Sequence, residues 1–224
     1  MPLQPETLAF LADLEKHNDR DWFQKHKPRY EAAREDVVQL ADAMLKGWAK
    51  EEALPPQEPK KTLFRIYRDV RFSKDKEPYK PWLSFYLKRG PGRVGLFMQI
   101  RPGDRTMVGT GIYDPDPKQL AALRQEIDYN AGGLRKVLGA KRFRDTWGEL
   151  LGSQLKRAPK GYNPEDPNID LLRYKQLYIM REIPDAACTG KGLEADILKS
   201  YRTAKPFMAF LDAPIMELLT AEKQ

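Results

Sequence analysis

The chain has 224 residues, 41% of them hydrophobic and 10% aromatic, which is enough to bury a core and excludes a disordered segment. It carries 39 Lys and Arg against 32 Asp and Glu, a net charge of +7, and a single cysteine, Cys188, so no disulfide framework can form within it. No apolar run approaches the ~20 residues of a membrane span, and the opening MPLQPETLAFLADLEKHND lacks the basic start and long apolar core of a signal peptide. A soluble protein of a reducing compartment, the cytoplasm, is expected.

The chain opens helical. PETLAFLADLEKH places Leu8, Leu11 and Leu14 near helical spacing behind Pro5. Asn18 or Asp19 can cap a short second helix carrying Trp22 and Phe23, a pair better suited to anchoring the helix than to stacking on a ligand. From Pro28 a long helix shows one apolar face through Tyr30, Ala33, Val37, Leu40, Ala41, Met44, Leu45 and Trp48. Pro55, Pro56 and Pro59 end it.

The period then changes to two. Phe64, Ile66, Val70 and Phe72 would share one face of a strand, with Arg65, Tyr67, Asp69 and Arg71 on the other. Leu83, Phe85 and Leu87 alternate next, followed by Val94, Leu96, Met98 and Ile100, with the turn signal RGPGR between the two runs. Pro102 and Gly103 suit the centre of a type II turn, and TMVGTGIY continues an antiparallel meander. Helical patterning returns at DPKQLAALRQEIDYN and, in shorter pieces, at GGLRKVLG and KRFRDTWGEL. A loop-rich stretch, a late strand at YKQLYIM and a mostly helical end from Gly192 complete the chain. No repeat or linker divides it, so residues 1–224 are expected to form a single α+β domain. A central, mainly antiparallel sheet would be packed by N-terminal and C-terminal helices.

The common site signatures are absent: no phosphate-binding glycine loop, no dinucleotide fingerprint and no nucleophile elbow. His17 and His26 are the only histidines, nine residues apart with no cysteine near, so no metal site is expected. Cys188 has no basic residue just before it and suits a structural thiol better than a nucleophile.

What remains is RIYRDVRFSKDKEPYK, from Arg65 to Lys80. From Lys60 to Arg93 there are eleven basic residues against three acidic, a local charge of +8 that leaves the rest of the chain near neutral. Arg65, Arg71, Lys76 and Lys80 form a candidate anion cradle, because guanidinium forks and ammonium groups suit phosphate or carboxylate. Pro78 and Pro81 stiffen the turn. Arg68 falls on the apolar face of the expected strand, so it should be buried and paired to a carboxylate distant in sequence. Asp69 belongs to the same ionic network, and an entirely internal neutralisation fits the residues as well as a ligand site does. A second basic loop, with Lys156, Arg157, Lys160 and Tyr162, adds Lys160 to the anion candidates.

In its polar spacing this stretch, with Arg65, Arg68, Asp69, Arg71, Phe72, Asp75, Lys76 and Tyr79, resembles the RxxRDxRFxxx[DN]KxxY signature of a bacterial and fungal family catalogued as domain of unknown function 2461. FLADLEKHNDRDWF and LKRAPKGYNPEDPNIDLLRYK resemble its opening and late blocks, so the likeness runs nearly end to end. Many relatives carry a histidine before the proline of the late block, where this chain has Asp166. The resemblance implies no particular activity.

Three functions fit these residues. The first is an enzyme or binding protein for a phosphorylated small molecule or nucleotide, held by Arg65, Arg71, Lys76, Lys80 and Lys160; if chemistry occurs, Asp75 is the candidate base and Tyr79 the candidate acid. The second is a nucleic-acid-binding module that stacks bases on Tyr67, Trp82, Phe85 and Tyr86. The third is a partner-binding domain in which the motif only pins the sheet. No cofactor or oligomeric state is indicated.

Overall fold

The computed structural model describes residues 1–71, 74, 76–92 and 94–221. Its fold is α+β, with a four-stranded antiparallel meander in the order β1-β2-β3-β4 and helices before it, between its third and fourth strands, and after it. The strands are β1 (Leu83–Lys88), β2 (Gly95–Ile100), β3 (Thr106–Ile112) and β4 (Leu177–Ile183). The first three coincide with the alternating apolar runs of the sequence, whereas β4 begins three residues into YKQLYIM and runs three beyond it. Gly103, with φ of +81°, takes the left-handed position that a type II turn requires before β3. Gly109 and Gly111 let β4 approach β3 closely. A Cβ at these positions would lie 2.6 Å from the Ile179 carbonyl oxygen and 2.4 Å from that of Leu177.

The chain divides into two compact units, neither of them continuous: residues 1–87, 96–108 and 182–199 make the first, and 88–95, 109–181 and 200–224 the second. Because the chain passes between them several times, no linker composition marks a boundary.

In the first unit, α1 (Pro5–Lys16) packs on α3 (Lys27–Ala49), burying Phe10, Leu11 and Leu14 with Val37, Leu40 and Met44. α1 has no side-chain cap of its own. Asp36 of α3 substitutes, accepting from the Gln4 backbone N–H at 2.9 Å and the Thr7 hydroxyl at 2.6 Å. Asp19 caps the short α2 (Arg20–Lys25) by accepting from the Trp22 N–H. One turn of helix, α4 (Pro59–Thr62), follows the proline-rich stop.

In the second unit, a reciprocal Asp116–Gln119 capping box starts α5 (Pro117–Gly139), which kinks at Asn130 where the sequence suggests two pieces. It packs on α6 (Lys141–Trp147) and α7 (Ile169–Leu172). Trp147 donates to the Ser200 carbonyl and the Thr203 hydroxyl of the last helix, α9 (Leu193–Ala221). Between β4 and α9 lies a single turn, α8 (Asp185–Cys188).

Candidate functional site

The Arg65–Lys80 segment is not the strand its alternation predicts. Tyr67 pairs with Tyr79 across a single antiparallel bridge, flanked by Arg68 N–H to Pro78 O at 2.9 Å and Lys80 N–H to Ile66 O at 2.8 Å. The ladder stops there because the next rung would need an N–H from Pro78, which has none. Ile66 is buried as the pattern requires, but Phe64 is 49% exposed. Phe72 lies outside the described residues.

Asn18 closes this hairpin onto α2. Its side-chain amide donates to the Tyr79 carbonyl at 2.9 Å and to Glu77 at 3.2 Å, while its oxygen accepts from the Tyr79 N–H at 3.1 Å. The amide thus takes the place of a neighbouring strand. The clamp holds the Tyr79 ring stacked on Phe23, 3.9 Å between centroids and 14° between planes. Tyr30 of α3 and Tyr67 complete the ring cluster, 5.1 Å and 6.4 Å from Phe23, and Tyr67 lies 5.4 Å from Tyr79.

The cations of the motif divide into two kinds. Arg71 is 77% exposed at its side chain and forms a two-pronged pair with Asp69, at 3.0 Å and 2.7 Å. Arg71 and its own backbone N–H hold the Asp69 carboxyl below its ordinary value. Arg68, expected to be buried and paired far away, keeps 23% of its side-chain surface and reaches Glu77, nine residues on, at 3.5 Å. The other kind has carbonyl partners or none. Lys76 donates to the Val70 carbonyl at 3.0 Å and Lys80 to that of Arg65 at 3.1 Å. Arg65 is exposed and forms no ion pair with a described residue. Burial, and then the nearby Arg65 charge, lower the Lys80 ammonium below its ordinary value. Asp75, the candidate base, lies outside the described residues.

Other candidates stand apart from this cluster. Lys160 is exposed on a loop of the second unit, where Tyr162 N–H bonds to Pro159 O and the Tyr162 phenol is raised by burial. Asp166 organises that loop by accepting from the Asn168 N–H at 2.7 Å. Asn168 does not cap α7 with its side chain; that oxygen accepts from Arg135, which also pairs with Asp170. Of the four aromatics expected to stack on bases, Phe85 is fully buried and Trp82 lies under the Arg101 guanidinium, 5.3 Å from its ring centre. His17 and His26 both stack on Trp22, His26 at 4.1 Å. Cys188 is buried, and burial pushes its thiol up to about 11, which leaves little thiolate for nucleophilic work.

Sequence reasoning passed over two participants. Asn18 looked like an alternative helix cap, and Tyr30 like one more apolar position on α3. The side-chain amide two residues before α2 carried no signal for a partner 61 residues away.

No helix among the described residues is long and apolar enough to cross a membrane. No curated protein and no solved structure matches the chain. Residues 6–210 match the family described as conserved hypothetical protein (DUF2461), and with nearly its whole length covered the chain belongs to that family.

Proposed function

We propose that the first unit binds a phosphorylated small molecule at the Arg65–Lys80 hairpin. The observation that carries this is the Arg65–Lys80 pair. Two cations lie close enough for one to depress the other; neither forms an ion pair with a described carboxylate, although the Arg65 charge also acts on Asp69. Like charges held together with incomplete compensation favour an anion between or beside them. Lys76, also held by a carbonyl, adds to the field, while Arg71 adds no net charge as long as Asp69 holds it. This is a binding function, and no bond is made or broken in it. A cytoplasmic setting suits it, since the one cysteine is a buried free thiol.

Thermal unfolding in phosphate or pyrophosphate, against chloride at equal ionic strength, is the test. A ligand at a hundred times its Kd adds about 2.7 kcal/mol, or about 5–10 °C for a chain of this size. Arg65→Gln and Lys80→Met should remove the shift without lowering the unliganded Tm by more than about 2 °C. Asp69→Asn should enlarge the shift by releasing Arg71. Equal shifts in phosphate and chloride would refute the proposal.

A further inference from the structure

Phe64 is exposed where the alternation would bury it, and it is not alone on its side of the sheet. Its backbone N–H bonds to the Ser84 carbonyl at 2.9 Å, next to the Leu63–Phe85 bridge, so Phe64 lies opposite Ser84 and on the same face. Its ring meets that of Phe97 on β2 edge to face, with 6.4 Å between centroids and 63° between planes. Phe97 and Gln99 project to one side of β2, and the buried Leu96, Met98 and Ile100 to the other. On β1, Ser84 is likewise turned away from the buried Leu83, Phe85 and Leu87. One side of these strands is therefore core. The other presents two phenylalanine rings, a hydroxyl and a carboxamide, all within the first unit.

The groups on this face are open to a ligand. Phe64 keeps 49% of its surface exposed, and Phe97 is half-buried. Neither the Ser84 hydroxyl nor the Gln99 amide hydrogen-bonds to a described residue, and neither is sealed from solvent. Both can donate and accept outward without giving up an internal bond. The cations of the hairpin adjoin the same ring. The Lys80 ammonium sits on the carbonyl of Arg65, the residue next to Phe64, at 3.1 Å.

We infer that this face takes the base of a nucleoside monophosphate whose phosphate lies on Arg65 and Lys80. The inference rests on the hairpin reading for the phosphate and adds the ring. A base is planar and stacks on an aromatic side chain whatever its identity. Its edge carries donors and acceptors, which a carboxamide and a hydroxyl match and which a plain hydrocarbon ring would lack. The charge of the phosphate is complementary to the two cations.

Calorimetric titration of the full chain with AMP and with ribose 5-phosphate, which lacks only the base, tests this. AMP should bind about tenfold more tightly, the scale of one stacked base. Phe64→Leu keeps apolar bulk without the ring and should bring the two affinities within about twofold of each other. Phe64→Trp should keep or exceed the wild-type preference. Gln99→Leu should lower the preference severalfold. Because the preference is a ratio read within each variant, a general loss of folded protein cancels. If ribose 5-phosphate binds and AMP binds no better, or if the preference survives Phe64→Leu, this inference fails and the hairpin reading stands. If adenosine binds as tightly as AMP and depends on Phe64, the hairpin reading fails and the ring site stands without it. An adenylate tetramer that binds more tightly than AMP would put a nucleic-acid strand on the face and overturn the mononucleotide. No binding of AMP to the wild type overturns the inference outright.

Discussion

Removal of the Asn18 side chain should loosen the motif hairpin without unfolding the protein. Asn18 supplies one donor and one acceptor to the Tyr79 backbone, at 2.9 Å and 3.1 Å, and Tyr79 itself is 3% exposed. Asn18→Ala leaves a partly buried N–H and C=O without partners. Each such bond contributes about 1 kcal/mol net, and an orphaned buried group costs about 1–3 kcal/mol, so the hairpin should lose roughly 2–4 kcal/mol of local stability. Hydrogen exchange at the Tyr79 amide reads this directly, because that N–H is the one Asn18 accepts. The expected acceleration is about 30-fold or more, at about 1.4 kcal/mol per factor of ten. The Arg68 and Lys80 amides, which bond across the same hairpin, should accelerate with it. Amides of β3 should not change. Asn18→Asp should behave almost as badly, since it keeps the acceptor, loses the donor and brings a second carboxylate to Glu77. Unaltered Tyr79 exchange in Asn18→Ala would show that the hairpin is held by its own bridge and ring contacts, and the clamp reasoning would be wrong.

Three further outcomes follow from neighbouring features. Glu15 accepts from Arg105 and Arg101, at 2.5 Å and 2.6 Å, and these bonds hold its carboxyl below the usual glutamate value. A carboxyl lowered on folding stabilises at pH above its unfolded value and ceases to as the pH falls through its folded one. The stability gap between wild type and Glu15→Gln should therefore be about 1 kcal/mol at pH 7 and close below about pH 4, as followed by urea unfolding. A gap that persists at pH 2.5 would contradict the ion-pair origin. The coupling between Arg68 and Glu77 in a double-mutant cycle should be about 1 kcal/mol or less, because the pair is long and open to water; a coupling of about 3–5 kcal/mol would mean the pair is buried after all. Cys188 should react with a thiol reagent at pH 8 only as fast as the protein opens, and rapid labelling of the native chain would refute its burial and raised pKa.

How much of this could be read from sequence depends on the range of the interaction concerned. The meander strands were legible because apolar alternation is a local property, and Leu83, Leu96 and Val108 are buried as their period demands. Helix starts at Asp19, Pro28 and Asp116 were local too, since a cap or an N-terminal proline acts within one turn. The same alternation failed from Phe64 to Arg71, because a strand needs a partner that can donate and the segment opposite carries Pro78. The family resemblance rested on spaced polar residues and required no fold.

Which cations pair with which carboxylates was decided only in three dimensions. The sequence placed Arg65, Arg68, Arg71, Lys76 and Lys80 within sixteen residues, but charge composition is blind to direction. The hairpin sends Arg71 to Asp69 and Arg68 to Glu77, and sets the Lys80 ammonium on the Arg65 carbonyl. The phenol cluster depends on tertiary packing still more. Tyr30 arrives on α3, Phe23 on α2 and Tyr67 with Tyr79 on the hairpin, and no spacing links them. What joins them is the burial of Phe23, a nonlocal apolar contact, and the two-point grip of Asn18 on a backbone 61 residues away.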